Sequence, residues 1–418
     1  MEQRKTLIPE FGPLRGIRIL GMGSLIAMPF AANLMAEFGA EFIEIERPGV
    51  GDVYRGFAPI LHRNDKAISA AWMQEARNRL SFTLEMKRDD PDSLQVFLDL
   101  IRQCDVFIEN MVWLEKFGIR DSLLLEVNPR LIIVHISGFG RPEFGGDPEL
   151  CDRASYDIVG QAFSSYADLN GFEGGEPLLV KPTLNDYVTA MFAVFGMLTA
   201  YLEVQRSGQG QVIDVSQFES QAKIMRDAFT MNSVGVSDLH RSGNRSSGSQ
   251  PWNLYESRDG RYVVLGAVGV AVFKRFMAAT GLSMEEFPYL QAAAGSAAIH
   301  SPLGRRFDAA VADWCRAHDA EEIERILAEA RVPCSRVNTP RECLTHPQFL
   351  DRGDFIQSED QNLESVITAF GIVPKLSRTP GQIWRGAPRL GQDTEWILRE
   401  LLCYGEDEIR RLREKGLI

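Results

Sequence analysis

The sequence is poor in the residues that build metal sites and disulfide frameworks. Its 418 residues include only six cysteines and six histidines. The cysteines form no Cys-x-x-Cys pair, and the histidines show neither His-x-x-x-His nor His-Glu-x-x-His spacing, so we predict no metal site. Few, unpatterned cysteines in a chain of this length are typical of a reduced, cytoplasmic protein.

Excess basic charge and long apolar runs are also lacking. Lys and Arg total 45 against 57 acidic residues, and the formal net charge of -12 offers no general attraction for nucleic acid or an anionic membrane. The most apolar stretch, residues 188–202, is shorter than the roughly 20 residues that span a bilayer. The N-terminus has no apolar signal-peptide core. These features predict a soluble protein without nucleic-acid or membrane partners.

Common phosphate-binding and nucleophile motifs are absent or incomplete. The chain has no Gly-x-x-x-x-Gly-Lys-Ser/Thr and no Gly-x-Ser-x-Gly sequence. Gly21-Met22-Gly23 followed by Glu46 is similar to the start of a dinucleotide-binding fingerprint. However, Ile26 replaces its third glycine. A plain strand-to-helix turn is therefore the favoured interpretation, with dinucleotide binding as the alternative.

The first 140 residues alternate between strand and helix signals, which is typical of a mainly parallel sheet. The predicted strands lie at 17–23, 41–46, 105–109, 131–136 and 211–215. The predicted helices lie at 29–38, 91–103 with Asp90 as cap, 187–205 and 393–415. Residues 143–185 are rich in Gly, Pro and acidic residues and show little periodicity, which predicts loops.

From about residue 241 the pattern changes to hairpin signals followed by short helices. We therefore predict an α/β protein with a smaller α+β domain inserted into a larger one. The predicted boundaries are 1–225 for the first part of the large domain, 226–338 for the small domain and 339–418 for the return to the large domain.

A single carboxylate stands at the start of the most apolar predicted helix. Asp186 there is typical of an N-cap, which stabilises a helix by about 0.5–2 kcal/mol. The alternative is a nucleophile, because carboxylates can form covalent acyl intermediates. The positive end of the helix dipole would then keep the carboxylate ionised.

Cations cluster around the early predicted strands. Each alone is most simply a solvated surface charge, but together they flank the predicted carboxyl ends of strands, where parallel sheets bind ligands. A phosphorylated ligand would require cations at that edge. These cations are Arg47, Arg55, Arg77, Arg79 and Lys116.

Several blocks, in order along nearly the whole chain, resemble the class III CoA-transferases, the formyl-CoA and carnitine CoA-transferase family. They are FGPLRGIRIL, GAEFIEIERPGVGD, RNRLSFTLEMK, DVFIEN, NPRLIIVHISGFG, YDIVGQAFS, LNDYVTAMF and SGQGQVIDVSQFE. Near the end, PGQIWRGAP is most similar to the carnitine CoA-transferase branch.

The resemblance implies an enzyme that moves CoA from an acyl-CoA to a free carboxylic acid, with no metal and no permanently bound cofactor. The family's catalytic aspartate falls on Asp186, which would form a mixed anhydride and then an aspartyl-CoA thioester. Its CoA contacts fall on Arg47, Arg79, Asn110 and Lys116.

The family also implies a nucleotide-binding-like sheet and an interlocked homodimer. Its carnitine branch implies carnitine, γ-butyrobetaine or crotonobetaine as substrates. A trimethylammonium group would require aromatic faces. The candidates are Trp72, Trp252, Tyr255 and Trp384.

Some positions depart from the family pattern. Ala190 replaces a common glycine, which could tighten the site. Ile26 stands where the formyl-CoA branch has glutamine, which argues against formyl or oxalyl substrates. The loop after Asn110 is shorter and lacks one expected cation.

Two alternative functions remain open. In the related α-methylacyl-CoA racemases the acid-base histidine would fall on Tyr156, and a tyrosine is a poor proton-transfer partner at neutral pH. A non-catalytic CoA- or dinucleotide-binding protein is the second alternative. It would retain the cations and make Asp186 a simple cap.

Overall fold

The structure, a computed structural model, describes residues 5–63, 65–111, 114–235 and 241–418. In these ranges the strands are β1 (Arg18–Met22), β2 (Glu41–Glu46), β3 (Ile60–Arg63), β4 (Lys66–Ser69), β5 (Arg79–Thr83), β6 (Val106–Glu109), β7 (Ile132–Ser137), β8 (Gln211–Ser216), β9 (Trp252–Glu256), β10 (Tyr262–Gly266), β11 (Cys334–Arg336), β12 (Phe355–Asp360) and β13 (Ser365–Phe370).

The helices in the same ranges are α1 (Ala27–Ala36), α2 (Ala70–Glu75), α3 (Pro91–Gln103), α4 (Asp121–Val127), α5 (Pro148–Cys151), α6 (Asp157–Phe163), α7 (Tyr166–Leu169), α8 (Leu184–Ser207), α9 (Gln217–Lys223), α10 (Ala228–Ser233), α11 (Val270–Thr280), α12 (Tyr289–Ala292), α13 (Ser296–Ile299), α14 (Pro302–Arg316), α15 (Ala320–Glu329), α16 (Pro340–Cys343), α17 (Pro347–Asp351), α18 (Thr394–Glu400) and α19 (Glu406–Glu414). Single 3-10 turns lie at Val53–Gly56, Leu114–Phe117 and Pro142–Phe144.

The chain forms two units. One unit contains Met1–Tyr166, Val180–Phe229 and Leu350–Ile418, and the other contains Ala167–Leu179 and Thr230–Phe349. The core of the first unit is a six-stranded sheet with the order β5-β2-β1-β6-β7-β8. All its neighbouring strands are parallel. This sheet confirms the predicted α/β class.

Helices cover both faces of the sheet, which explains why the strands β1, β2 and β6 are buried along their whole length. Leu20 and Ile43 pack on one face with side chains of α3, α4 and α18. Ile19 and Phe42 pack on the opposite face with side chains of α1 and α8. The sheet is therefore buried on both sides, and only its edges are available for a ligand.

The sequence analysis did not identify β5, and this omission misplaced Arg79. Arg79 is the first residue of β5 and pairs with Phe42 of the parallel strand β2. It therefore lies at the amino edge of the sheet. Arg47 and Asn110 follow β2 and β6 at the opposite, carboxyl edge. The prediction that Arg79 flanks the carboxyl ends is wrong.

Helix α8 is the long apolar helix that the sequence predicts, although it begins three residues earlier than predicted. It ends at Gly208, whose φ of 73° gives the left-handed cap that glycine adopts without strain. Within the described ranges, α8 is the one helix long and apolar enough to cross a membrane by length and composition. Its small residues Ala190, Ala193 and Ala200 are buried in the core of the first unit. Ala190 thus contributes to packing.

The second unit has the α+β composition that the hairpin signals indicate. Strands β9, β10 and β11 form an antiparallel sheet, and Gly260, with a φ of 72°, lies in the turn between β9 and β10. Aromatic side chains of α11 and α14, including Phe273, Phe276 and Phe307, fill the core beneath this sheet.

Two sequence predictions about helices are wrong. The predicted loop region 143–185 contains α6, whose seven residues are too few to show a clear helical period. The predicted helix at 393–415 is two helices, α18 and α19. The chain turns between them at Cys403, whose φ is 58°.

Candidate active site

A cavity of about 300 Å³ lies at the carboxyl edge of the parallel sheet in the first unit. The turns after β1, β6 and β7 form one side, and the first residues of α8 and α9 form the other. This edge is where open parallel sheets bind ligands. The residues that line this Asp186 cavity are Ser24, Leu25, Ile26, Ala27, Asn110, Met111, Lys116, Ile136, Ser137, Gly138, Ala154, Ser155, Tyr156, Asp186 and Gln217.

Asp157 of α6, and not Asp186, caps the start of α8. Its Oδ1 accepts hydrogen bonds from the backbone N–H groups of Asn185 (2.7 Å) and Asp186 (3.2 Å). Its Oδ2 accepts one from Gln161 Nε2 at 2.6 Å. The N-cap interpretation of Asp186 is therefore wrong, because the orphan N–H groups of the helix are satisfied by a carboxylate from another helix.

The Asp186 carboxylate is held at one oxygen only. Gln217 Nε2 donates a hydrogen bond to Oδ1 at 2.6 Å. Ser155 Oγ donates to Gln217 Oε1 at 2.7 Å, so the amide is itself anchored. Among the described residues, none donates a hydrogen bond to Oδ2. The lone pairs of Oδ2 are therefore available to a group that enters the cavity.

The surroundings of Asp186 disfavour its charged form. Burial raises the pKa of Asp186 to about 7, the Asp157 and Glu75 carboxylates add to the rise, and the Gln217 hydrogen bond opposes it. Glu75 lies at the end of α2, where Tyr54 and Tyr187 donate hydroxyl hydrogen bonds to it at 3.0 and 2.6 Å. Burial and the two carboxylates therefore oppose the effect of the helix dipole, which the sequence analysis expects to keep Asp186 ionised.

Two of the four predicted CoA-binding residues line the cavity. Asn110 is fixed to the turn after β1: its Oδ1 accepts from Ser24 N at 3.0 Å and its Nδ2 donates to Ser24 O at 2.9 Å. A Cβ at Gly23 would lie 1.9 Å from Asn110 Oδ1, so this turn requires glycine for close packing. Lys116 is exposed, with its Nζ 4.9 Å from the centroid of the Phe117 ring.

The other two predicted CoA-binding residues lie outside the cavity. Arg47 is exposed, and its Nε bonds Glu85 at 2.8 Å. Arg79 is only 1% exposed; it donates to Glu44 Oε2 at 2.8 Å and to the Glu75 carbonyl at 3.1 Å. A contact between Arg79 and CoA does not fit this position, because the guanidinium has no face open to solvent.

The remaining cations of the predicted cluster are also held by carboxylates. Arg77 is buried and pairs with Glu37 at 3.1 Å. Arg55 donates from Nε and Nη2 to the two oxygens of Glu46, at 2.7 Å each, and Ser81 Oγ donates to Glu46 as well. Glu46 is thus fully engaged, so it has no oxygen free for a ribose. The geometry does not support the dinucleotide alternative.

A buried acid–imidazole–acid group next to the cavity was missed by the sequence analysis. His135 lies opposite Glu109 in the β6–β7 register, with Nδ1 2.5 Å from Glu109 Oε1 and Nε2 3.0 Å from Asp121 Oδ1. Burial disfavours the imidazolium, but the bonds to Asp121 and Glu109 outweigh it and raise the pKa of His135 to about 9. Glu109 also accepts from Met111 N. The group therefore ties the loop that carries Asn110 to both the sheet and α4.

In the ranges that the structure describes, no group of three or more His, Cys, Asp or Glu side chains is arranged to hold a metal ion. The chemistry that this geometry supports is that of a carboxylate nucleophile. One of its oxygens accepts a hydrogen bond from an amide, the other accepts none from the described residues, and the residue lines a cavity with mostly aliphatic and small polar walls.

Comparison with known proteins gives consistent matches over nearly the whole chain. A sequence model described as CoA-transferase family III matches residues 14–394. The chain is 36% identical to a bile acid CoA-transferase of Clostridium scindens over 98% of this chain and 90% of that protein. It is 32% identical to an L-carnitine CoA-transferase of Proteus mirabilis over 98% of this chain and 97% of that protein.

The fold is similar to the crystal structure of a CAIB/BAIF family protein from Brucella suis. The TM-score is 0.79 at 23% sequence identity, and the match covers 94% of this chain and 100% of that chain. At this identity the likeness concerns the fold.

Proposed function

Because the chain belongs to CoA-transferase family III, we propose that Asp186 is the nucleophile through which it moves CoA from an acyl-CoA to a carboxylic acid. The observation that carries this assignment is the asymmetry of the carboxylate. Gln217 holds Oδ1, whereas Oδ2 accepts no hydrogen bond from the described residues, and Asp186 lines the cavity. A nucleophilic oxygen needs such an exposed lone pair close to a bound thioester.

The proposed reaction has four acyl-transfer steps. Asp186 Oδ2 attacks the thioester carbonyl carbon, the C–S bond breaks, and CoA leaves as thiolate, so that Asp186 and the acyl group form a mixed anhydride. The thiolate attacks the aspartyl carbonyl carbon, which releases the donor acid and forms an aspartyl-CoA thioester. The acceptor carboxylate displaces this thiolate, giving a second anhydride. The thiolate then attacks the acceptor's carbonyl carbon, which forms the product and restores Asp186.

Asn110 and Lys116 are the proposed CoA contacts of the first unit, since both line the cavity. Lys116 supplies a cation for a phosphate group. Arg47 is a further proposed contact at the same edge. Its ion pair with Glu85 is exposed, and such pairs contribute only about 0–1 kcal/mol, so a phosphate can replace the carboxylate at little cost.

Carnitine as the acceptor stays a prediction, and none of the four predicted aromatic candidates lines the Asp186 cavity, where Tyr156 is the aromatic side chain among the described residues. Trp72 is fully buried beneath Arg55, and neither it nor Trp384 lines the Asp186 cavity. Aliphatic side chains, among them Ile26, form much of the cavity wall and suit an acid with a hydrocarbon body. The homodimer and the cytoplasmic location that the resemblance implies also stay predictions.

The proposed function is tested by mixing the protein with acyl-CoA donors and acids of different chemistry. L-carnitine, a bile acid and a short dicarboxylate such as malate serve as acceptors, and acyl-CoA products are followed by mass spectrometry. If the acceptor carries ¹⁸O in its carboxylate, one labelled oxygen remains on Asp186 after each turnover. The donor acid released from the second turnover onward should then contain ¹⁸O. Transfer without label in that acid would contradict the anhydride route.

The pH dependence of the reaction follows from the raised pKa of Asp186, about 7. Attack requires the carboxylate, so kcat/KM for the acyl-CoA should rise with pH through about 7 and become constant above it. Well below that pKa, the rate should fall about tenfold per pH unit. Initial rates between pH 5 and 8.5 measure this acid limb. A rate that stays constant down to pH 5 would show that Asp186 remains ionised.

A further inference from the structure

Gln217 lies where it can control which oxygen of Asp186 meets the substrate. We infer that Gln217, oriented by Ser155, is a positioning residue that fixes Asp186 Oδ1 and thereby presents Oδ2 to the thioester; this inference rests on the proposed function. Gln217 is only 6% exposed and is the first residue of α9, directly after β8. Its backbone is thus fixed by the sheet edge.

The orientation of the amide follows from its two partners. A carboxylate can only accept hydrogen bonds, so the Gln217 group that faces Asp186 must be the NH₂. Its Oε1 then faces Ser155, whose hydroxyl donates at 2.7 Å. The reversed amide would place two acceptors, Oε1 and Oδ1, within 2.6 Å of each other. The ionised form of Asp186 therefore selects one amide orientation, and Ser155 stabilises that orientation.

The position of Ser155 depends on a glycine in the turn after β7. A Cβ at Gly138 would lie 2.1 Å from Ser155 Cβ, far inside any normal contact distance. The absence of a side chain at Gly138 therefore lets Ser155 approach Gln217. Three chain segments, from the end of β7 to the start of α9, thus contribute to holding one oxygen of Asp186.

The charges around Asp186 make this hydrogen bond important for its ionisation. Asp157 of α6 and Glu75 of α2 both disfavour a second negative charge. Lys116 lines the same cavity from the loop after β6 and is its cationic side chain among the described residues. Gln217 is the neutral donor that contacts the carboxylate directly. Its loss should leave more of the carboxyl protonated at neutral pH, because a bond to the charged form favours that form.

Gln217→Met tests the inference, because methionine retains the length of the side chain and removes the donor. We expect the acid limb of kcat/KM to move upward by about one pH unit, which corresponds to about a tenfold loss at pH 6 and little loss at pH 8.5. Ser155→Ala should produce a smaller shift in the same direction. If Gln217 is merely structural, the rate falls equally at all pH values and the limb does not move, which overturns the inference.

Gln221 offers a matched control on the same helix. It is a fully buried glutamine whose side-chain oxygen and nitrogen have no hydrogen-bond partner among the described residues. Gln221→Met makes the same chemical change four residues further along the chain. It should leave the acid limb in place, and an equal shift in this variant would also overturn the inference.

A second measurement reports the titration of Asp186 without any turnover. Burial raises the pKa of Asp186 in the folded protein above its unfolded value near 3.8. Protonation of Asp186 therefore stabilises the fold fully below about pH 3.8, and this contribution is lost by the time the pH has risen through about 7. The Tm of the wild type should therefore fall relative to Asp186→Asn as pH rises from about 3.8, and the difference should become constant above about pH 7. In the Gln217→Met background the pH at which the fall ends should move upward.

These two readouts separate the possible failures. An upward shift in the pH at which the Tm stops falling, without transfer activity, would contradict the proposed function while supporting the hydrogen bond's effect on Asp186. If that pH does not move in the Gln217→Met background, the inference is overturned even if the transferase reaction is confirmed.

Discussion

Asp186→Ala is expected to lower the kcat of CoA transfer by roughly a thousandfold or more, because it removes the only atom proposed to bond covalently to the acyl group. The affinity for CoA should change little, since the proposed CoA contacts Asn110 and Lys116 are untouched. Transfer rates and calorimetric CoA binding measure the two quantities separately. Turnover within tenfold of the wild type would disprove the nucleophile assignment.

Asp186→Asn serves as the matched control for packing. It retains the shape of the side chain and can still accept the Gln217 hydrogen bond at Oδ1, so the cavity should stay intact. We expect it to be as inactive as the alanine variant. If only the alanine variant loses activity, the loss comes from disturbed packing and not from the missing nucleophile.

Proton exchange with solvent separates the transferase from a racemase, its nearest alternative. A racemase would exchange the α-proton of an acyl-CoA with solvent, which mass spectrometry detects in D₂O without any acceptor acid. The position where its histidine would fall is Tyr156, which is exposed at the rim of the cavity. Solvent exchange that persists in Tyr156→Phe but not in Asp186→Asn would exclude that tyrosine as the acid-base partner.

Arg79→Met is expected to lower the free energy of unfolding by about 3–5 kcal/mol at pH 7, because it removes one partner of a buried ion pair. Arg79 and Glu44 are 1% and 0% exposed, with a separation of 2.8 Å. Burial raises the pKa of Glu44, and Arg79 is the contact that most opposes the rise. Urea denaturation followed by circular dichroism measures the loss.

Arg47→Met is the matched control at an exposed site. Its pair with Glu85 should contribute less than about 1 kcal/mol, so the unfolding curve should barely move. The double variant Arg79→Met/Glu44→Gln should recover part of the lost stability, because no buried charge is left unpaired. If Arg79→Met instead raised the KM for acyl-CoA with unchanged stability, Arg79 would belong to the CoA site after all.

Much of the fold could be predicted because the strong local signals agree with the final structure. Strand β2 has the predicted bounds, and Asp90 caps α3 by accepting from the N–H groups of Asp92 and Ser93 at 3.0 and 2.9 Å. These elements are specified by residues within a few positions of each other. The identity of the candidate nucleophile came from an ordered set of blocks in the sequence and not from any single local pattern.

The errors concern contacts between residues that are far apart in sequence. The cap of α8 comes from Asp157, 29 residues before Asp186, and no local pattern connects the two. Whether a carboxylate is ionised depends on its burial. Burial cannot be derived from the residues that are its neighbours in the sequence. Glu109 and His135 meet only because β6 and β7 pair in one particular register.

Because the cap of α8 comes from α6, the proposed nucleophile depends on several packed segments and not on α8 alone. A protein engineer who transplanted α8 alone into another scaffold would bring Asp186 without the carboxylate of Asp157 that anchors its backbone. The amide of Gln217 would also be left behind. The smallest portable version of this centre therefore contains the turn at Gly138, Ser155 with α6, the first turn of α8 and the junction of β8 with α9.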